Sequence, residues 1–204
     1  MKQIKSIILT LLTALLALPA SAQDFEYEGI WYTVLDANAK TARTRAGSES
    51  QSGNDCEGEV TIPATVSYGT NDYEVVEIGK YGFRNCKSLT SINIPDGVTS
   101  IGFYAFSRCS SLLSINIPDG VTSIGSGAFS GCSGLTSIAI PAGLTSIENS
   151  TFFDCSSLTS ITIPDGVTSI KDRAFSGCSG LTSINIPDGV TSIEYSTFSG
   201  CSSL

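Results

Sequence analysis

The sequence contains no histidine in its 204 residues, and it carries few cations. The missing imidazole excludes Ser-His-Asp and Cys-His nucleophile activation, imidazole metal sites and histidine acid–base catalysis. Lys and Arg number 11 against 19 Asp and Glu, a net charge of −8. Nucleic acid requires a clustered cationic face, and adsorption to anionic lipid requires basic segments, so this charge argues against both partners. No nucleophile–base pair, metal cluster or phosphate loop is present, and we expect neither an enzyme nor a cofactor.

The one long apolar run lies at the N-terminus. Lys2 and Lys5 precede an almost wholly apolar stretch at residues 7–18, and small residues follow up to Ala22. This pattern predicts a signal peptide over residues 1–22, with cleavage after Ala22. The apolar run is too short to span a bilayer comfortably, and Gln23 rather than cysteine follows the cut. We therefore expect a secreted or cell-surface protein that does not insert into a membrane.

The rest of the chain repeats with a period of 23 residues. A proline recurs at this interval from Pro95 to Pro187, and residues 89–101 are identical to residues 181–193. A fixed period of 20–50 residues is the signature of a solenoid. The same interval separates six cysteines, each preceded three residues earlier by a phenylalanine: Cys86, Cys109, Cys132, Cys155, Cys178 and Cys201.

Within one unit the apolar spacing predicts the local structure. Residues 89–94 end in apolar–polar alternation typical of a half-exposed strand, and Pro-Asp-Gly at 95–97 is a turn signature. Residues 98–101 predict a second short strand. Apolar residues three or four apart at 102–109 predict one helical or 3-10 turn. We expect a mainly β solenoid of 23-residue coils, stabilised by stacking of each coil on the next.

The repeated pattern L-x-x-I-x-I-P-x-x-V-x-x-I-x-x-x-A-F-x-x-C resembles the BspA-type leucine-rich repeat over residues 60–204. The Ile-Pro and Ala-Phe-x-x-Cys elements distinguish it from other leucine-rich repeat classes. The resemblance implies a leucine-rich repeat solenoid in a bacterial cell-surface or secreted protein of anaerobes, used for adhesion to host matrix glycoproteins or to other cells. It does not imply an enzyme. The departures from the pattern are small: Leu113 for Thr, Ala142 for Asp, and Thr151 and Thr197 for Ala.

The region before the regular units divides into two parts. Residues 60–78 form a degenerate unit with nine extra residues around 64–73, which we expect to be a longer hairpin or loop. Residues 23–59 are not repeated, and their strand and turn signals predict a small antiparallel β cap over the apolar edge of the first coil. An alternative is a ligand module with an aromatic platform of Tyr27, Trp31 and Tyr32. The expected organisation is thus a signal peptide at 1–22, a β cap at 23–59 and a solenoid at 60–204.

The cysteine column is the most conspicuous repeated feature. Export permits disulfides, but copies in neighbouring coils point the same way, and their Cβ atoms would not converge to the roughly 3.8 Å that a bridge requires. A line of thiols also does not give tetrahedral zinc coordination. We therefore expect each cysteine of the column to be a small buried apolar residue. Cys56 is out of register with the column, and with seven cysteines at least one thiol is unpaired in the monomer.

Three columns of side chains are candidates for binding. The aspartates of the Pro-Asp-Gly turns could hold Ca²⁺, although turn chemistry alone explains them, and we expect no metal site. Residues that vary inside otherwise constant coils include Phe103, Tyr104 and Tyr195, which are either exposed contact residues or covers for the coil edge. The third column is the exposed face of the strands, which Ala139 interrupts. It either binds a protein or glycan or only keeps the surface polar, and it consists of Asn93, Asn116, Thr162 and Asn185.

We expect an adhesin-like, protein-binding module that contacts a host matrix or other cell-surface protein or glycoprotein through its strand face. Two alternatives stay open: a glycan-binding module of the same architecture, and a structural spacer or fragment of a larger surface protein. Leu204 would be the first residue of a sixth regular unit. An apolar coil face left open there predicts self-association.

Overall fold

The computed structural model describes residues 23–45 and 56–204, and the predicted signal peptide lies outside these residues. The strands of the described part are β1 (Asp24–Tyr27), β2 (Ile30–Asp36), β3 (Thr41–Thr44), β4 (Glu57–Thr61), β5 (Thr65–Tyr68), β6 (Asn71–Ile78), β7 (Ser88–Asn93), β8 (Ser100–Ile101), β9 (Ser123–Ile124), β10 (Ser146–Ile147), β11 (Ser160–Thr162), β12 (Ser169–Ile170), β13 (Ser183–Asn185) and β14 (Ser192–Ile193). The predicted mainly β repeat fold is confirmed.

Successive coils join through two parallel ladders. The first contains β4 with β7 and β11 with β13, and single bridges such as Asn93 with Asn116 extend it. The second contains β6, β8 and β9, then β10, β12 and β14. Partners such as Ser100 and Ser123 are 23 positions apart in sequence. Because the offset is the same at each such pair, each apolar side chain lies beside its own copy in the next coil.

The N-terminal strands continue the second ladder. Strands β1, β2 and β3 are antiparallel, and β3 then pairs in parallel with β6. The extra residues of the degenerate unit form the antiparallel hairpin of β5 and β6, one of the two forms expected for them. Tyr32 is fully buried and stacks on Phe25, so the alternative platform of Tyr27, Trp31 and Tyr32 does not form. Division of the chain into a cap and a solenoid stays a prediction.

The predicted helical or 3-10 turn is wrong, since the described residues contain turns but no helix. The reason lies in the segment 102–109. The N–H groups of Ala105 and Ser107 donate to carbonyls three residues earlier, but those of Tyr104 and Phe106 donate to the next coil. A helix directs every interior N–H along its own axis. Here alternate N–H groups form a third ladder between coils.

Left-handed residues produce this alternation. Each turn segment carries two residues with positive φ, four positions apart. Any residue other than glycine is strained in this left-handed conformation. Only some of these positions hold glycine, so the apolar spacing alone does not reveal them. The pairs are Tyr81 and Asn85, Tyr104 and Arg108, Gly127 and Gly131, Ser150 and Asp154, Arg173 and Gly177, and Ser196 and Gly200.

Glycine at a strained left-handed position should stabilise the fold. Asp154 has φ 55° and is exposed, and the equivalent positions in the flanking coils are Gly131 and Gly177. We expect Asp154→Gly to raise the free energy of unfolding by about 0.5–1 kcal/mol, because the relief of strain exceeds the entropic cost of glycine. Gly177→Ala should lower it by about 1–2 kcal/mol. Urea unfolding followed by circular dichroism measures both, and changes of the same sign would contradict the strain argument.

The interior is a stack of identical side chains. The phenylalanine rings of consecutive coils lie nearly parallel, with centroids 5.4–5.7 Å apart from Phe83 to Phe198, and all of them except Phe198 are fully buried. Thr151 and Thr197, which replace alanine before phenylalanine, are also buried, and their hydroxyls donate to the carbonyls of Glu148 and Glu194. A buried hydroxyl that forms a hydrogen bond is tolerated, so these departures leave the core intact.

The cysteines do more than fill space. The Sγ–H of Cys109 donates to the carbonyl of Phe83 at 3.0 Å. The same contact with the phenylalanine carbonyl of the preceding coil recurs at Cys132, Cys155, Cys178 and Cys201. A thiol at this position therefore supplies a weak donor to a carbonyl of the turn segment one coil earlier. A purely apolar residue of similar size would not.

The expectation that no cysteine of the column is bridged is wrong for Cys86, which forms a disulfide with Cys56. The geometric objection applies to copies in stacked coils, and Cys56 is not such a copy. It immediately precedes β4, which pairs in parallel with β7, shortly after Cys86. This register places the two Cα atoms 5.7 Å apart, within the range for a disulfide.

The remaining thiols should resist modification in the folded chain. Burial raises the pKa of Cys132 and Cys155 well above the usual thiol value, and that of Cys178 to about 12. We expect iodoacetamide at mildly alkaline pH to modify only the partly buried Cys201, and that slowly, because its pKa is also raised by burial. All five free thiols should react after denaturation without reductant. Mass spectrometry measures the labelling, Cys201→Ser is the control, and rapid labelling of Cys132 would contradict the burial argument.

Candidate functional site

Three aromatic rings form a cluster on two consecutive turn segments, the one that precedes β7 and the one that follows β8. Phe103 contacts Tyr104 edge-on with centroids 4.3 Å apart, and Tyr81 lies 5.7 Å from Phe103 and 6.2 Å from Tyr104. Phe103 is 39% exposed, whereas Tyr81 and Tyr104 are half-buried. The rings support one another, so little side-chain freedom is left to lose on binding. We call these three residues the aromatic cluster.

Two cations lie over the aromatic cluster. The Lys80 ammonium is 4.9 Å from the centre of the Tyr81 ring and 5.3 Å from that of Phe103. The Arg84 guanidinium is 5.1 Å from the Tyr81 ring. These distances fall within the range of cation–π attraction, so the cluster combines apolar faces with positive charge in an otherwise acidic chain.

A cavity of about 300 Å³ adjoins the aromatic cluster. It crosses the turn segments of several coils. Three arginines, three serines and two rings line it, and no carboxylate does: Arg84, Arg108, Arg173, Ser107, Ser130, Ser150, Tyr104 and Phe153. We call this the arginine cavity.

Two glycines create room for the side chains that line the cavity. A Cβ atom at Gly127 would lie 2.5 Å from the Tyr104 ring, and one at Gly131 would lie 3.3 Å from Cγ of Arg108. The Tyr104 ring and the Arg108 stem therefore lie across a coil that has no side chain at these two positions. Both glycines also have left-handed φ, so one residue type meets the steric and the backbone requirement together.

The arginines of the cavity are not neutralised by the chain. Within the described residues, none of Arg84, Arg108 and Arg173 forms an ion pair; the pairs recorded there join Arg43 with Glu77, Arg45 with Asp24 and Lys171 with Glu194. Nε of Arg84 is buried and has no hydrogen-bond partner. A buried donor left unsatisfied costs free energy, and an anion in the cavity would satisfy it.

The strand-face residues lie elsewhere on the coil. Asn93, Asn116, Thr162 and Asn185 all belong to the first ladder and are exposed. They form a narrow polar column, interrupted by Ala139, which is also exposed. The aromatic cluster belongs instead to the turn segments that follow the second ladder. The predicted binding residues therefore fall into two separate groups.

The predicted aromatic contacts are also divided. Phe103 and Tyr104 belong to the aromatic cluster, but Tyr195 occupies the Phe103 position four coils later. At about 4.8 Å per coil this separation is roughly 20 Å. Tyr195 is 75% exposed, and its side chain stands apart from the other two.

Sequence reasoning missed Lys80, Tyr81, Arg84 and Arg108. Lys80 and Tyr81 precede Phe103 and Tyr104 by one period, so extending the variable pair backwards would have found them. The two positions before each cysteine vary as well, and they hold Arg84 and Arg108 in successive units. Variation at these positions was the available signal, but their convergence on one cavity was not visible from spacing.

The described part of the chain offers neither a metal-ligand cluster nor a membrane-spanning helix. In residues 23–45 and 56–204, no three or more His, Cys, Asp or Glu side chains are grouped so as to hold a metal ion. No helix in that part of the chain is long and apolar enough to cross a membrane.

The chain is similar to one known protein family and to several solved structures. Residues 76–204 match the BspA type Leucine rich repeat region in six copies. A leucine rich cell surface protein from Faecalibacterium prausnitzii is 35% identical, with a TM-score of 0.65, over 89% of this chain and 53% of its own. The T. pallidum Leucine Rich Repeat protein is 25% identical, with a TM-score of 0.63, over 89% and 91%. A leucine-rich repeat protein from Eubacterium ventriosum is 29% identical, with a TM-score of 0.56, over 81% and 49%.

The chain thus spans about half the length of the first and third of these proteins. No curated protein matches it. The family match covers more than half of the chain, and it coincides with the stacked turns and parallel ladders described above. The chain belongs to the BspA-type leucine-rich repeat family, a repeat module of the kind found in bacterial surface proteins.

Proposed function

We propose that this chain is a secreted or cell-surface, adhesin-like module that binds another extracellular protein or glycoprotein. The aromatic cluster of Tyr81, Phe103 and Tyr104 carries this proposal. Tyrosine and arginine are enriched at the centres of protein interfaces, and here an exposed phenylalanine, two half-buried tyrosines and two cations occupy one surface. Their mutual contacts hold the rings before a partner arrives, which lowers the entropic cost of binding.

The strand face is a second proposed contact surface. Its exposed asparagines and threonine, each between two buried or partly buried isoleucines, offer donors and acceptors but little apolar area. Polar rims of interfaces have this composition, whereas their centres contain aromatic residues. The aromatic cluster should accordingly dominate the affinity, and the strand-face column should contribute less.

Binding to immobilised host matrix glycoproteins tests the proposal. We expect Phe103→Ser/Tyr104→Ser to weaken binding at least tenfold, because truncation of an interface centre typically costs about 2 kcal/mol or more. Tyr195→Ser, roughly 20 Å away, should have a smaller effect. Leu113→Ser is the matched control: it removes a 55% exposed apolar side chain outside the aromatic cluster. Surface plasmon resonance measures the affinities, and circular dichroism verifies that each variant folds.

The results distinguish the alternatives. Binding that survives enzymatic deglycosylation of the target supports recognition of protein, and loss on deglycosylation supports the glycan-binding alternative. Equal affinities for the double variant and Leu113→Ser would refute the aromatic cluster as the contact surface. The absence of saturable binding by a folded chain would favour a structural spacer.

A further inference from the structure

We propose that the arginine cavity, which Arg84, Arg108 and Arg173 line, binds an acidic monosaccharide unit of a glycan through the carboxylate or sulfate of that unit. This inference rests on the proposed function, since the glycan would belong to the extracellular partner. It names the chemical class of ligand for one defined site, which the aromatic cluster alone does not specify.

The charge of the cavity favours an anion. Three of the 11 Lys and Arg residues of the chain line it, and no Asp or Glu does, although acids outnumber bases by eight. Within the described residues none of these guanidinium groups has a carboxylate partner. The buried Nε of Arg84 is an unsatisfied donor at the same place. Arginine binds planar oxyanions through paired N–H donors, so carboxylate and sulfate both fit this arrangement.

The rest of the lining favours a sugar over a bare ion. The cavity volume of about 300 Å³ is about ten times the share of liquid volume that one water occupies, so the cavity has room for a group larger than an inorganic anion. Hydroxyls of Ser107, Ser130 and Ser150 can exchange hydrogen bonds with sugar hydroxyls. The Tyr104 and Phe153 rings offer apolar surface for the C–H face of a pyranose. These three kinds of group match the three parts of an acidic monosaccharide.

Two acids are adjacent in sequence to residues of the arginine cavity, but neither lines it. Asp172 is adjacent in sequence to Arg173, but its carboxylate accepts a hydrogen bond from the Tyr195 N–H at 2.9 Å. Asp154 is adjacent to Phe153, and its Oδ1 lies where a Cβ at Gly177 would be. More distant acids are screened at physiological salt beyond about 8 Å. A single acidic unit therefore meets the arginines without most of the repulsion that a long polyanion would experience from the acidic chain.

A matched series of lactose derivatives tests this inference. Sialyllactose carries a carboxylate, sulfolactose carries a sulfate, and lactose carries neither. Isothermal titration calorimetry on the folded chain should show saturable binding of at least one acidic derivative and none of lactose at the same concentrations. Which derivative binds identifies the anion. Raising the salt concentration should weaken the binding, because charge-assisted contacts dominate it.

Variants locate the site. Arg108→Gln and Arg173→Gln should each weaken binding of the acidic derivative about tenfold or more, as expected for loss of a hydrogen bond to a charged group. Lys87→Gln, an exposed cation outside the cavity lining, controls for the lost unit of charge and should change affinity less than twofold. Ser130→Phe should abolish binding by filling the cavity without altering charge.

The outcomes separate this inference from the proposed function. Equal binding of lactose and its acidic derivatives, equal effects of Arg108→Gln and Lys87→Gln, or no binding of either acidic derivative would each overturn the inference. The matrix-glycoprotein experiment with Phe103→Ser/Tyr104→Ser and Leu113→Ser would still decide the proposed function in each of these cases. Conversely, sialyllactose or sulfolactose binding that Ser130→Phe removes would support the site even if no matrix glycoprotein bound.

Discussion

Phe129→Ala is expected to lower the free energy of unfolding by about 3–5 kcal/mol, the usual cost of truncating a fully buried phenylalanine. Phe129 is 0% exposed and stacks between Phe106 at 5.5 Å and Phe152 at 5.7 Å. Truncation removes both ring contacts and leaves a cavity in the middle of the solenoid. Neighbouring coils are fixed by parallel ladders on either side, so they cannot collapse into that space. Chemical denaturation followed by circular dichroism gives the value.

Phe198→Ala provides the matched control for this prediction. Phe198 stacks on Phe175 at 5.7 Å, but it is only partly buried and has one ring neighbour in the stack. The same substitution there should cost less than half as much, because less surface is buried and fewer contacts are lost. Equal losses at Phe129 and Phe198 would show that the stability does not come from stacking between neighbours.

Removal of the disulfide is the second large effect. Cys56 and Cys86 are 30 positions apart, and the chain-entropy model assigns about 3–4 kcal/mol to closing a loop of this length. Cys56→Ala/Cys86→Ala should therefore unfold at a clearly lower temperature than the parent chain. The bridge joins Cys56, just before β4, to Cys86, just before β7, so the destabilisation should begin at the β4–β7 pair rather than in the later coils. Hydrogen exchange resolved by mass spectrometry locates the region that opens first.

Reduction measures the contribution of the disulfide bond to stability separately from that of the two cysteine side chains. Dithiothreitol should lower the thermal midpoint of the parent chain and of Cys109→Ala, but leave that of Cys56→Ala/Cys86→Ala unchanged. Cys109 is a free, buried thiol, so its variant accounts for the loss of a packed sulfur without a bridge. A parent chain with the same midpoint in the presence and absence of reductant would contradict a stabilising disulfide.

The repeat period was sufficient to predict the stacked architecture. Copies of one residue 23 positions apart must occupy equivalent places, and the apolar copies must be buried. The aromatic signal of Phe103 and Tyr104 likewise came from variation inside a constant unit. Both inferences require only the comparison of one coil with another.

The wrong or missing predictions concern features that the spacing of apolar residues does not reveal. The spacing of Ala105, Phe106 and Cys109 fits a helical turn, but left-handed residues at Tyr104 and Arg108 turn alternate N–H groups towards the next coil. The disulfide depended on the β4–β7 pairing, which a degenerate unit of irregular length concealed. The arginine cavity is lined by side chains from five turn segments, and a shared lining of this kind has no signature in spacing along the chain.

The constant register between coils has a consequence for the gene. Since paired residues of the regular coils are 23 positions apart, loss or gain of one whole repeat leaves each partner facing an equivalent residue. Any other change of length between two regular coils would misalign all three ladders at once. Residues 89–101 and 181–193 are identical, so unequal recombination between their codons would excise four repeats in frame. The product would carry Glu194 and Tyr195 directly after the first of these segments, with Tyr195 at the position of Phe103. Shortening the gene in this way would preserve the stack while replacing Phe103 of the aromatic cluster with Tyr195.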